Sequence, residues 1–276
     1  MEVKIIKDSV SETGVRLTTF ALTYPRFLHP QYLTHRMFSR NAQSSRAFPT
    51  KKLIEKVRTD PTMPVEWGIN QRGMVAGELL SGDMLLAAKA NWMLAASSAA
   101  QYAEALSKLG VHKQIVNRVL EPFMYITTLC TATEWDNFWE LRCASDAQPE
   151  FTALAKGMLV LYLNNIPNIL PRGHWHLPFI TAEDEDECTL DVLQQVSVAR
   201  CARVSYLSHE GTREISKDIE LFEHLVSGHP HLSPLEHVAT PMLNGTEFSG
   251  NLRGWVQYRK ILEVLSKHND RGNDGV

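Results

Sequence analysis

The polar span Thr34-His35-Arg36-Met37-Phe38-Ser39-Arg40-Asn41-Ala42-Gln43-Ser44-Ser45-Arg46 concentrates three arginines, one histidine and three serines. Forked guanidinium donors, hydroxyls and loop amides at that density suit a phosphate together with a hydrogen-bonding base edge, so an anionic nucleotide is the natural guest. The bland alternative is a solvated basic loop. Asn117-Arg118 and Glu140-Leu141-Arg142 add two more arginines with apolar neighbours. Taken singly, such arginines snorkel or pair with surface carboxylates, and their value depends on company. His174, His176, His229, His231 and His237 lack partners at metal-ligand spacing, so no metal site is expected. There is no Gly-x-Gly-x-x-Gly loop, no Walker-type glycine loop and no Gly-x-Ser-x-Gly elbow. The common dinucleotide, NTPase and α/β-hydrolase routes are thereby unsupported.

The elements that must position these residues are readable from pattern. Val3 to Ile6 and Val15 to Tyr24 have strand composition, and Pro25 ends the second run. Phe27 to Arg36 has helical spacing, and Ser39 to Ser45 is expected to be a loop over a pocket. A long helix begins after Ser81-Gly82-Asp83 and stops at Gly110; its alanine stripe suits close packing against a helix of this chain or of a second copy. Val111 to Leu120 predicts a short helix stopped by Pro122, Met124 to Cys130 a strand, and the stretch opened by Pro149 an amphipathic helix. Glu183 to Glu187 reads as a solvated acidic loop. Ser216 caps a further helix that Gly228 ends.

With 276 residues, 44% of them hydrophobic and 21% charged, the chain has ample material for a core, and dominant disorder is excluded. A net charge of -3 gives no case for a general nucleic-acid binder. Cys130, Cys143, Cys188 and Cys201 form no Cys-x-x-Cys pair and read as reduced thiols. Without an apolar leader or a membrane-length apolar stretch, a cytoplasmic location is expected. The economical architecture is one α+β domain over residues 1–276, a mixed sheet flanked by long helices.

Three blocks of residues resemble a known family, the flavin-dependent thymidylate synthases. His35-Arg36, then Asn41, Ser44 and Arg46, is similar to that family's Arg-His-Arg signature and the serine that follows it. Ala202-Arg203-Val204-Ser205-Tyr206, a capped helix, and His231-Leu232-Ser233-Pro234-Leu235-Glu236-His237 resemble its Ala-Arg-Val-Ser and His-x-Ser/Thr-Pro-x-Glu-His segments. Arg118 ahead of Leu120-Glu121-Pro122, with Asn137-Phe138-Trp139-Glu140-Leu141-Arg142 and Asp146-Ala147-Gln148, is similar to its Asn-Phe-x-x-Leu-Arg helix. The order is permuted, because the second block precedes the signature in ordinary members. Family-like core segments fall at about 15–165 and 196–265. Thr34 stands where the first signature arginine is expected, and Ala42 where a glutamate is expected. Arg253 to Arg259 resembles the helix that leads into the signature, which leaves either His35-Arg36 or Tyr258-Arg259 to face the flavin.

The resemblance implies transfer of a one-carbon unit from methylenetetrahydrofolate to C5 of dUMP, with FAD as flavin and NADPH as its reductant, giving dTMP. It implies dUMP binding by Gln31, Ser44, Arg46, Arg118 and Arg142, with Arg46 and Arg142 as the charge-stabilising catalytic pair. His35, Arg36, Ser39, Asn137, His231, Ser233 and Glu236 are the implied FAD positions, in sites shared within a homotetramer. Ser44 has no visible histidine–carboxylate partner, so it reads as a phosphate donor rather than a nucleophile. A pyrimidine nucleotide hydroxymethylase and a nucleotide-binding homologue without turnover are the rivals.

Overall fold

The computed structural model describes residues 1–205, 214–228 and 230–273; Tyr206 and His229 lie outside them. Two ten-residue strands open the chain, β1 (Glu2–Ser11) and β2 (Arg16–Pro25). They pair antiparallel across a turn that contains Gly14 at φ 80°, with a register shift between Ile5 and Lys7. A single 3-10 turn, Arg26–Leu28, and a one-turn helix, α1 (His29–Tyr32), replace the longer helix expected up to Arg36. Then follow β3 (Ser39–Ala42), α2 (Thr50–Thr59), α3 (Gly82–Lys108) and α4 (Lys113–Val116). The expected helix at Val111 to Leu120 is thus one α-turn that tightens into a 3-10 stretch, Asn117–Phe123, with Pro122 inside it. β4 (Tyr125–Ala132), α5 (Asp136–Arg142), α6 (Pro149–Asn164) and β5 (Asn168–Leu170) complete the N-terminal half.

These strands make one mixed sheet in the order β3-β4-β2-β1-β5, with only the β1–β5 pair parallel. The period-2 alternation of β2 and β4 assigns its faces. Phe20, Leu22 and Tyr24 with Ile126, Cys130 and Ala132 meet Phe138 of α5 and Phe151, Leu154 and Met158 of α6. A second core joins Leu53, Ile54 and Val57 of α2 to Ala96, Ala100 and Ala103 of α3. The alanine stripe is therefore used within this chain, where small side chains allow close helix approach.

The opposite face of the sheet is covered by the remaining chain: α7 (Ala182–Glu187), α8 (Leu190–Arg203), α9 (Ile215–Val226), the small strands β6 (Ala239–Pro241), β7 (Phe248–Ser249), β8 (Leu252–Arg253) and β9 (Trp255–Gln257), and α10 (Tyr258–Asn273). Leu129 of β4 meets Cys201 and Val204, while Val15 and Leu17 meet Ala239, Leu252 and Trp255. All four cysteines are free, and among the described residues no helix is long and apolar enough to cross a membrane.

The acidic run is a helix rather than a solvated loop. Thr181 and Asp184 form a reciprocal capping box, and the carboxylates at a helix N-terminus complement its dipole. Asp184 is also buried against Arg200, whose guanidinium donates to Asp184, to Asp218 of α9 at 3.0 Å and to the Phe179 carbonyl at 2.8 Å. Arg203 donates to the other Asp218 oxygen at 2.8 Å. Removing Arg200 leaves buried Asp184 without a cation and Asp218 with Arg203 alone, so Arg200→Ala is expected to lower unfolding stability by about 3–5 kcal/mol. Urea titration checks this; a loss under about 1 kcal/mol, the range of an exposed pair, would mean that the cluster contributes little.

Candidate functional site

The signature span does not stay a loop. Ser39 to Ala42 forms the edge strand β3 against Thr128 to Thr131 of β4, which buries Ser39 and Asn41. The strand divides the polar span, and a cavity opens on each side of the division.

The larger cavity, about 860 Å³, takes Arg40, Ser44 and Arg46 from the signature span, His112 and Lys113 from the turn into α4, and Ser205, His231 and Ser233 from the C-terminal layer. Among the described residues no carboxylate lines it. Arg46 and Lys113 are exposed and form no ion pair with a described residue, which leaves their charge available to an anion. Arg40 donates to the Leu33 carbonyl at 2.7 Å, which stations its guanidinium beside α1. The Ser44 amide donates to the Ser205 carbonyl at 3.3 Å, so the Ala-Arg-Val-Ser block meets the signature block despite their separation in sequence. Ser233 Oγ and His231 Nε2 lie 3.3 Å apart.

The smaller cavity, about 480 Å³, joins His35 and Arg36 to Asn137 and Arg142 of α5. Here the signature block meets the Asn-Phe-x-x-Leu-Arg block. Arg142 Nε donates to His35 Nε2 at 2.9 Å, and its guanidinium carbon lies 4.4 Å from the Phe151 ring centroid. An acceptor at Nε2 requires neutral His35 with its proton on Nδ1. Burial, then the charges of Arg142 and Arg40, hold the His35 pKa down to about 4, which keeps the ring neutral across the physiological range. Phe38 and Phe138 pack against His35 with centroids 5.6 and 5.0 Å away. A rigid aromatic bed thus aims one guanidinium into the cavity.

Other expected site residues lie elsewhere. Gln31 donates to Gln148, which donates onward to Glu150 at 3.0 Å. Arg118 is half exposed and donates to Glu121 at 2.9 Å. Ser39 is fully buried, bonded to Asn251 and Gln257 at 3.2 Å each. Glu236 is paired with Arg259, and Tyr258 packs between Trp175 and Phe222. None of these lines either cavity, and the two cavities share no lining residue. Arg40, counted among the arginines of the polar span, lines the larger cavity, and His112, Lys113 and Phe248 line a cavity although no motif singled them out as contacts. The Arg253 to Arg259 stretch runs from the last residue of β8 through β9 into the first residues of α10 and is not a helix throughout. Among the described residues no cluster of histidine, cysteine and carboxylate side chains is arranged to hold a metal.

The family model for the thymidylate synthase complementing protein (Thy1) matches residues 10–168, a segment that carries the signature span and the α5 block. No curated protein matches the chain. Two solved structures of the UMP/dUMP methylase PolB from Streptomyces cacaoi, bound with 5-Br UMP and with 5-Br dUMP, are similar at 17% identity and a TM-score of 0.48. Each match covers 58% of this chain, and 88% or 89% of the other. By the family match over more than half its length, this chain belongs to the thymidylate synthase complementing protein family, the flavin-dependent thymidylate synthases.

Proposed function

We propose that the chain is a transferase that converts dUMP to dTMP, with methylenetetrahydrofolate as one-carbon donor, FAD as cofactor and NADPH as its reductant. The observation that carries this reading is the pair of cavities on either side of β3, one walled by cations with no carboxylate among the described residues and the other holding a guanidinium on aromatic rings. Phosphate groups fit the first, because Arg46 and Lys113 offer charge-assisted donors that no described carboxylate takes up. A planar heterocycle fits the second, where Met37, Leu141 and Phe248 expose apolar surface beside Arg36, Arg142, Asn137 and the carboxylates of Glu134 and Asp136. On this reading Ser44 and Arg46 bind the nucleotide, His231 and Ser233 face the cofactor's polar groups, and His35, Arg36 and Asn137 hold its ring end.

When bound, reduced FAD supplies the hydride that completes the methyl group. The protein's part is alignment and electrostatics. Arg142, fixed through Nε by His35, presents its remaining donors to negative charge that develops on the pyrimidine, and Arg46 assists from the nucleotide side. His35-Arg36 rather than Tyr258-Arg259 faces the flavin, since Arg259 is already committed to Glu236 and Glu263. Gln31 and Arg118 reach dUMP only after exchange of their present partners.

The site is completed between copies of the chain. One protomer keeps its two cavities apart, and the outer side of α3 exposes Met84, Leu86, Met93, Leu94 and Tyr102, an apolar surface suited to a homotetramer. Sedimentation of the purified protein checks this, with a tetramer expected and a monomer contrary to it.

Incubation with dUMP, methylenetetrahydrofolate and NADPH, followed by the product's mass, tests the reaction. A methyl increment is expected. A hydroxymethyl increment would favour the rival that Ala42 motivates, since alanine lines the larger cavity where the resemblance expects a glutamate.

A further inference from the structure

Near the C-terminus a short ribbon, β7 with β8, is clamped across the smaller cavity. Its two-residue turn is Gly250-Asn251, with Gly250 at φ 62°, and a Cβ there would lie 2.3 Å from Gln257 Oε1, so only glycine fits. Asn251 Nδ2 donates to the Met37 carbonyl at 2.9 Å, and Asn251 Oδ1 accepts from Gln257 at 2.8 Å and from Ser39 at 3.2 Å. On the other flank the Arg253 amide donates to Thr133 at 3.0 Å while its guanidinium pairs with Glu134. Met37 and Glu134 both line the cavity, so the ribbon is tied to two of its walls. The residue these ties hold at the cavity is Phe248, 54% exposed. Met37 at 38% and Leu141 at 50% are exposed on the same lining.

An exposed aromatic side chain is unremarkable alone, but one fixed by a polar clamp beside a concave site with an arginine and an asparagine has a use. We infer that Phe248 is the stacking platform for the flavin's tricyclic ring, with Met37 and Leu141 extending the apolar face, and that Ser39 serves this site indirectly as an anchor of the clamp. The inference rests on the flavin-binding reading above. Three exposed apolar side chains on one lining offer more apolar surface than a single pyrimidine ring would cover, and a tricycle can use it.

Titration of the full-length protein with FAD, followed by quenching of flavin fluorescence, tests it. Stacking on an aromatic side chain contributes on the order of 1–3 kcal/mol. F248A is therefore expected to weaken FAD binding roughly tenfold or more, since about 1.4 kcal/mol is tenfold. F248L, which keeps apolar bulk without a ring, should weaken it as well, whereas F248W should retain both affinity and quenching. Binding of dUMP alone should be unchanged in all three. Parental FAD affinity and quenching in both F248A and F248L, or a loss confined to dUMP, would overturn the assignment of Phe248 while leaving the flavin reading intact. A parent protein that binds no flavin would overturn both.

Discussion

Replacing Arg142 with alanine is expected to reduce turnover of dUMP by about 10²–10³-fold, the effect of losing one preorganised donor to developing negative charge. The fold should survive. Arg142 is half-buried at the end of α5, and its contacts are one hydrogen bond to His35 and one ring face, with the cation–π part contributing only about 0.5–1 kcal/mol. Arg142→Lys keeps the charge but lacks both the Nε donor to His35 and the planar fork, so it should recover a minor part of the rate. Steady-state kinetics beside a thermal melt separates the two roles. A variant with parental kcat, or one whose melting point collapses with its rate, would remove Arg142 from the chemistry.

The second large effect is acid lability. His176 and His237 are fully buried on the far side of the sheet, linked through hydroxyls. Ser9 Oγ lies 2.9 Å from His176 Nδ1, Thr19 Oγ1 lies 2.8 Å from His176 Nε2, and Thr131 Oγ1 lies 2.8 Å from His237 Nδ1, with Thr19 and Thr131 themselves 2.7 Å apart. His237 Nε2 is buried without a hydrogen-bond partner among the described residues. Burial pushes the His237 pKa down to about 3 and holds that of His176 well below its ordinary value, the latter helped by Lys7 and His237. The folded state then binds fewer protons than the unfolded chain below the ordinary histidine pKa of about 6.5. The stabilisation of the neutral rings is complete above that pH and is lost as pH falls towards the folded values.

His237 contributes about 1.4 kcal/mol per pH unit between about pH 6 and pH 4, and His176 acts in the same direction, so stability should fall steadily as pH drops through that range. Urea midpoints measured at stepped pH values check the slope, and His237→Asn, which keeps a polar group near Thr131 but cannot titrate there, should make it shallower. A flat profile from pH 7 to pH 4.5 would contradict this assignment.

Regular structure was legible where composition and period agree. β2 and β4 announce themselves by β-branched alternation, and α3 and α6 by apolar spacing with their terminal signals. β3 carries no such pattern, because Ser-Arg-Asn-Ala becomes a strand only through its pairing to β4 and through side-chain bonds supplied by residues more than 150 positions away, Cys201 and Asn251. The acidic helix was concealed by its own charge. Thr181-x-x-Asp184 was the available signal, and the apolar neighbours of Arg200 were the sign that a cation is buried there.

The site itself was legible as a set of residues but not as a partition. Ser44, Arg46, His231 and Ser233 meet in one cavity, and His35, Arg36, Asn137 and Arg142 in the other, since adjacency along the chain does not tell which side of β3 a side chain serves. The buried role of His176, one of the histidines without partners at metal-ligand spacing, follows from packing: it bridges two strands through Ser9 and Thr19.

The most direct test of a joint flavin and pyrimidine nucleotide site is the visible absorption spectrum of the FAD-loaded protein during titration with dUMP. A saturable shift of the flavin band, abolished in Arg142→Ala and absent with deoxyuridine, is the predicted result. A flavin band that dUMP leaves unmoved at saturating nucleotide, or no bound flavin at all, would contradict it.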